Sequence, residues 1–330
     1  MKVNGGGLCP DHGCSSGRRE CRGRCQTVIV AAVVLSLSAI VGCSRTATQA
    51  QPQKTIARAI SYVGSWGMRG DEPGQLDQPV SIAIDRVGDV YIPDAGSYFV
   101  HKFDWRGTPL LSFQDPLLKN PGSIALDSGG GIYVTDSQRG STFVFFPGGD
   151  RYRDLRLTTR PKPDDELGVA VADDGVVQVL DPDKSRVFTY NSHFRFTRSW
   201  SPAANSPNEK VGAGSIAAGP DGYVYIVDPE ANRMLRFTED GHFAGEFNAG
   251  ANRRLSGRFA VTRGLIFAMD ADGRKLHVWS TDGQPKLDVD LAPELGQANR
   301  PAPPIAISPR KEILVLDAPQ ARVLRYQINF

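Results

Sequence analysis

One short pattern recurs six times from residue 79 onward, and it limits the possible folds more than any other feature of the chain. Each copy opens on an alanine between apolar residues: Ile82-Ala83-Ile84, Ile124-Ala125-Leu126, Val169-Ala170-Val171, Ile216-Ala217-Ala218, Phe259-Ala260-Val261 and Ile305-Ala306-Ile307. An aspartate follows each alanine, at Asp94, Asp136, Asp181, Asp228, Asp270 and Asp317; the offset is eleven residues in five copies and ten in the fifth. Between alanine and aspartate lie a turn and a β-branched or aromatic strand, as in Gly88-Asp89-Val90-Tyr91-Ile92. After the aspartate come a loop and a third strand such as Val100-His101-Lys102-Phe103. A turn such as Asp240-Gly241 then leads to a fourth strand such as Phe243-Ala244-Gly245-Glu246-Phe247. The unit is four strands in 42 to 47 residues.

Six four-stranded antiparallel units of this length predict an all-β fold, a six-bladed β-propeller, in which each blade buries its faces against its neighbours around a channel. Gly and Pro make up 58 of 330 residues, well above the roughly 12% of average chains, as a turn-rich fold requires. The alanine suits the crowded inner edge where blades converge. The aspartate ends the second strand, where its carboxylate can accept backbone N–H groups and set the turn. The sixth copy runs out after three strands at Val323-Leu324-Arg325-Tyr326, while Ala59 to Trp66 precedes the first copy with no unit of its own. The N-terminal strand is therefore expected to complete the last blade, closing the ring and removing an exposed edge. A monomeric ring over residues 56–330 is the expected domain.

These residues resemble the NHL repeat family. Its pattern of Pro-x-Gly-Ile-Ala-Val-Asp, Gly-x-Val-Tyr-Val-Ala-Asp and Asn-x-Arg-Val-x-x-Phe is similar to Pro79 to Phe103, Pro121 to Phe145 and Gly214 to Phe237. The match weakens in the fifth copy, where Arg274-Lys275-Leu276 replaces the Asn-Arg segment. The resemblance implies a binding platform for protein or RNA, with a minority of related six-bladed propellers acting as lyases or lactonases.

The N-terminus carries a different message. Lys2, Arg18, Arg19, Arg22 and Arg24 precede an uncharged run from Val28 to Val41, too short to span a bilayer comfortably. This order reads as a secretory signal over residues 1–42. The run ends Ile40-Val41-Gly42-Cys43, which resembles a bacterial lipobox and makes Cys43 the expected lipidation site and membrane anchor. Ser44 resembles the residue that sends Gram-negative lipoproteins to the outer membrane, facing the periplasm. Arg18-Arg19 lacks the apolar residues that a twin-arginine signal needs next. Residues 43–55 read as the lipidated cysteine and a flexible polar tether. Of the five cysteines, Cys9, Cys14, Cys21 and Cys25 lie in the leader, so cleavage leaves Cys43 alone and no internal disulfide. Their spacing fits no metal pattern well. The leader holds five basic and two acidic residues, so the whole-chain charge of +2 becomes −1 after cleavage, which argues against a nucleic-acid partner.

Candidate functional residues follow from the predicted ring. Positions two before each alanine approach the channel mouth, and they are Ser81, Ser123, Gly168, Ser215, Arg258 and Pro304. None is a good metal ligand, so neither metal nor cofactor is expected. Glu166 and Arg258 are the charges placed at the mouth. His101, His193, His242 and His277 fall in third strands or the turns after them, mutually remote. Arg186, Arg233, Lys275 and Arg322 stand five residues after their aspartates, where each can pair across the loop. Arg139, Lys184 and Arg274 lack such a partner in register; with Tyr98 and Phe99 they mark the loop face as the candidate binding surface. Trp66, Trp200 and Trp279 are expected to pack between blades, and Trp105 to sit in an exposed turn. The resulting expectation is an envelope-tethered lipoprotein acting as a non-catalytic protein-interaction scaffold. The alternative is a metal-dependent lactonase- or lyase-like propeller acting on a small molecule in the channel.

Overall fold

A computed structural model describes residues 59–157, 166–207, 211–296 and 301–330. The chain divides into two units, Met1–Gln49 and Ala50–Phe330. The signal segment, Cys43 and the tether lie outside the described residues. Among the described residues no helix is long and apolar enough to cross a membrane.

Strand β1 (Ile60–Trp66) comes first and is completed by the far end of the chain. Blade one is β2 (Ala83–Ile84), β3 (Val90–Pro93), β4 (Val100–Phe103) and β5 (Pro109–Phe113). Blade two is β6 (Pro121–Leu126), β7 (Ile132–Asp136), β8 (Ser141–Phe145) and β9 (Arg151–Arg156). Blade three is β10 (Gly168–Val171), β11 (Val177–Asp181), β12 (Arg186–Tyr190) and β13 (Phe196–Trp200). Blade four is β14 (Ser215–Ala218), β15 (Tyr223–Asp228), β16 (Arg233–Thr238) and β17 (Phe243–Asn248). Blade five is β18 (Leu255–Thr262), β19 (Leu265–Asp270), β20 (Lys275–Ser280) and β21 (Pro285–Asp290). Blade six is β22 (Ile305–Ile307), β23 (Glu312–Asp317) and β24 (Arg322–Ile328), with β1 as its fourth strand. All six sheets are antiparallel meanders, as the repeat predicts.

Ring closure runs through β1 and β24, paired from Ile60↔Ile328 to Trp66↔Val323 with a bulge between Tyr62 and Gly64. The core is divided into six apolar clusters, one between each pair of neighbouring blades. The seam between blades six and one, for example, packs Leu314, Leu316 and Val323 against Ile82, Ile92 and Phe103. Glycines in the turn before the fourth strand tighten four of these seams. At Gly107, Gly149, Gly241 and Gly283 a Cβ would come closer than 3.0 Å to Trp66, Phe113, Trp200 and Phe247 of the preceding blade, and each has φ between +83° and +91°. Trp66, Trp200 and Trp279 thus pack between blades as expected.

The shortened offset in the fifth repeat has a simple cause. In five blades the repeat alanine pairs with the residue eight positions on, as in Ala83↔Tyr91 and Ala306↔Leu314. In blade five Ala260 pairs with Phe267, seven positions on, because Thr262↔Leu265 closes a two-residue turn at Arg263-Gly264.

Candidate functional site

The repeated aspartates build the face on which the site lies. Asp94 is fully buried, and its carboxylate accepts N–H groups from Asp77, Gln78, Gly96 and Ser97 at 2.7–3.0 Å. Asp136 likewise accepts from Lys119, Asn120 and Arg139. In these two blades one carboxylate joins the segment entering the first strand to the loop leaving the second. The charges five residues on divide into two kinds. Arg233 Nε meets Asp228 at 3.0 Å and Arg322 Nε meets Asp317 at 2.9 Å, whereas Arg186 turns to Ser199 Oγ and Lys275 contributes its backbone N–H to Asp270. The Arg233 side chain is only 7% exposed, so this pair is a buried one rather than the exposed pair that the spacing alone suggests.

A cavity of about 790 Å³ opens on this face at the channel mouth, within the size range of small-ligand sites. Six prolines line it: Pro79, Pro121, Pro301, Pro303, Pro304 and Pro319. Its charged lining residues are Arg69, Asp77, Glu166 and Arg258. Glu166 of blade three and Arg258 of blade five, the two residues placed at the mouth from sequence, reach each other in a fork, Nη1 to Oε1 at 2.5 Å and Nη2 to Oε2 at 2.8 Å. The Arg258 side chain is 27% and the Glu166 side chain 47% exposed, so water screens the pair and holding it is worth at most about 1 kcal/mol. Arg69 donates to the Pro319 carbonyl at 2.6 Å, tying the strand that leaves β1 to the loop after β23. Below the mouth the channel narrows to about 250 Å³ between the first strands. Ser81, Ser123, Ser215, Arg258 and Pro304 line it as expected, and Arg258 is the one charged residue along it among the described residues.

The other candidates fall elsewhere. Arg139, Lys184, Arg274, Tyr98 and Phe99 sit in the loops between second and third strands, but none lines the cavity. Lys184 pairs with its neighbour Asp183, Phe99 lies against His101 with ring centroids 5.3 Å apart, and Tyr98 is 48% exposed with φ +62°. His101 and His277 occupy equivalent buried sites in third strands, with Nδ1 2.8 Å from Ser112 Oγ and from Asp288 Oδ1 respectively. Trp105 is not an exposed turn residue; it is half-buried beneath three guanidinium groups. Among the described residues no group of three or more His, Cys, Asp or Glu is arranged to hold a metal ion. Sequence reasoning missed Arg69, Asp77 and the proline lining. The signal for part of it was present, since Pro79 and Pro121 open the repeat pattern just before each first strand.

Fold and site together define a six-bladed β-propeller with a proline-lined cavity at the mouth of its channel. No protein-family model matches the sequence, and neither does any curated protein. Among solved structures the chain is similar to a streptogramin B lyase at 15% identity, with a TM-score of 0.61 over 83% of this chain and 99% of that one. It is also similar to virginiamycin B lyase from Staphylococcus aureus, at 14% identity with a TM-score of 0.59 over 81% of this chain and 99% of that one. A third neighbour is Chaetomium thermophilum Raptor, at 12% identity and a TM-score of 0.57, where the match covers 85% of this chain and 30% of that one. At these identities the likeness is one of fold.

Proposed function

We propose that this protein is a non-catalytic binding propeller that recognises its partner at the channel mouth, and that Cys43 tethers it by a lipid to the cell envelope. The cavity carries this reading. It is large, open and rigidly framed, because prolines fix the backbone and the buried aspartates pin the loops behind them. Among the described residues its lining holds no His, Cys, Lys or Tyr; the acidic and hydroxyl side chains there are Asp77, Ser137 and Glu166, and Glu166 is engaged by Arg258. The Glu166–Arg258 fork adds polar specificity that a partner can exchange for its own groups. The pattern similar to NHL repeats supports a platform role, and the lipobox-like Ile40-Val41-Gly42-Cys43 supports the anchor.

Photo-crosslinking in cells tests the site. A crosslinking residue at Asn120, on the cavity, is expected to give a discrete adduct that is lost when Pro303→Arg fills the mouth. One at Asp173, at the other end of the channel, is expected to give none. Equal adducts from both positions, or none from Asn120, would remove the mouth as the recognition site. The anchor has its own test: protein made with its leader is expected in the membrane fraction, starting at Cys43 with an acyl-sized mass increase.

A second reading, a metal-dependent lactonase- or lyase-like enzyme acting on a small molecule in the channel, is favoured by the fold shared with the streptogramin B and virginiamycin B lyases along nearly their whole length. One neighbour is a catalytically inactive virginiamycin B lyase from Staphylococcus aureus with quinupristin. Incubating this protein with quinupristin and a divalent metal decides the matter: an opened product would replace the scaffold reading, and an unchanged ligand would retire the lyase one.

A further inference from the structure

The cavity occupies one end of the channel, and the described chain begins at the other. In blade six, β1 runs antiparallel to β24 with Ile60 opposite Ile328. Asn329 donates its N–H to the Ala59 carbonyl, and Ile328 donates to the Lys311 carbonyl, both at 2.8 Å. Ala59 therefore sits beside the turn from Ser308 to Lys311 that joins β22 to β23, away from the cavity. That turn carries Arg310 and Lys311, both exposed. Beside it, Trp105 in the turn between β4 and β5 has the guanidinium carbons of Arg106, Arg310 and Arg325 at 4.5, 4.8 and 5.2 Å from its ring. Arg325 is spoken for by Glu312 at 2.6 Å. Arg106, Arg310 and Lys311 are opposed locally by Asp104, whose carboxylate accepts the N–H groups of Arg106 and Thr108, and by Asp85 and Asp89 of the turn beside Arg310, which Lys102 partly offsets at 3.9 and 2.9 Å. Val87 and Phe330, 70% and 50% exposed, add apolar surface at the same end of blades one and six.

We infer that this basic and aromatic patch on blades six and one docks on the anionic surface of the bilayer that holds the lipid anchor, leaving the cavity facing away from the membrane. The inference rests on the tethered reading above. Arginine and lysine beside a tryptophan and exposed apolar side chains suit the boundary between anionic headgroups and acyl chains. Charge also sets the tilt. Blades three and four present Asp173, Asp174, Glu239 and Asp240 in the corresponding turns; Asp173 is paired with Arg86 at 2.9 Å and Asp240 with Arg198 at 2.8 Å, which leaves Asp174 and Glu239 to carry the acidic charge there. The acidic half is repelled while the basic half approaches. Fifteen residues separate Cys43 from Ala59, a contour of at most about 50 Å, so the anchor makes docking intramolecular and a weak patch is enough.

Vesicle flotation of the full chain tests the patch without the lipid. With Cys43→Ser in every sample, the protein is expected to bind vesicles of about 30 mol% phosphatidylglycerol in phosphatidylcholine at least about tenfold better than its Arg106→Glu/Arg310→Glu counterpart. Both substitutions are at exposed positions, and an unchanged melting temperature verifies folding. Because the leader is common to both proteins, the difference between them belongs to the patch. Binding of the two within twofold, or no binding by either, overturns the inference. So does a dimer at low salt that the same double variant dissociates, since the patch would then meet the acidic half of a second copy. Absence of acylation at Cys43 in the wild-type chain would defeat the anchor alone and would leave the vesicle comparison to judge the patch.

Discussion

His101 lies in β4 with no exposed surface, and burial, opposed by the Asp94 carboxylate, pulls its imidazole down from the usual 6.5 to about 4. The unfolded chain therefore takes up a proton more readily than the folded one. The stability tied to this group is complete above about pH 6.5 and is lost as pH falls toward 4, by up to about 3 kcal/mol. Urea titrations at pH 7 and pH 4.5 are expected to show this loss in the native chain and a smaller one in His101→Gln. A second residue-scale contrast separates Arg233 from Arg186. Arg233→Ala leaves Asp228, 1% exposed in its side chain, with an uncompensated buried charge and is expected to cost about 3 kcal/mol. Arg186→Ala gives up one exposed bond to Ser199 and is expected to cost less than about 1 kcal/mol in the same denaturation assay. Sequence spacing assigned both arginines the same role. Burial and the reach of each side chain separate them. Tyrosine supplies a further bond that spacing did not reveal: Tyr91, Tyr133 and Tyr225 donate to Asp85, Asp127 and Asp221 at 3.2, 2.8 and 2.7 Å. Burial, reinforced by the neighbouring carboxylate, pushes the Tyr133 and Tyr225 hydroxyls above the ordinary tyrosine range.

At the scale of elements, β1 does more than its seven residues suggest. It pairs with β24 across the whole blade and brings Trp66 to Phe103 of blade one, ring centroids 4.9 Å apart. Deleting residues 56–66 exposes the edge of β24 and opens the seam between blades six and one. The expected result is a melting temperature lowered by many degrees, or loss of a cooperative transition, measured by circular dichroism. An unchanged melting curve would mean that the ring does not depend on this closure. The two-residue turn at Arg263-Gly264 shows how an element absorbs a sequence change. One residue is removed from the turn between the first and second strands, and the pairing of Phe259 with Ala268 in those strands survives.

At the scale of the molecule, the two ends of the channel differ: a cavity lies at one, and the beginning of the described chain with its basic patch at the other. The proposed anchor and patch predict an orientation: with the chain acylated at Cys43 on anionic vesicles, a fluorophore at Asn120 should stay fully open to an aqueous quencher, while one at Arg310 should be shielded. The sequence by itself determined the number of blades, their strands, the closing strand and the aspartates that end the second strands. These depend on alternation, turn residues and spacing, which are local and repeat six times. It also put Glu166 and Arg258 at the mouth, because a register fixed by the repeat alanines carries flanking residues to known places. Only the tertiary structure decided that these two clasp each other, that the prolines form one lining, and that Arg139, Lys184, Arg274, Tyr98 and Phe99 stay outside the cavity. Those outcomes join residues from different blades, and the distance between blades is set by how the whole ring closes.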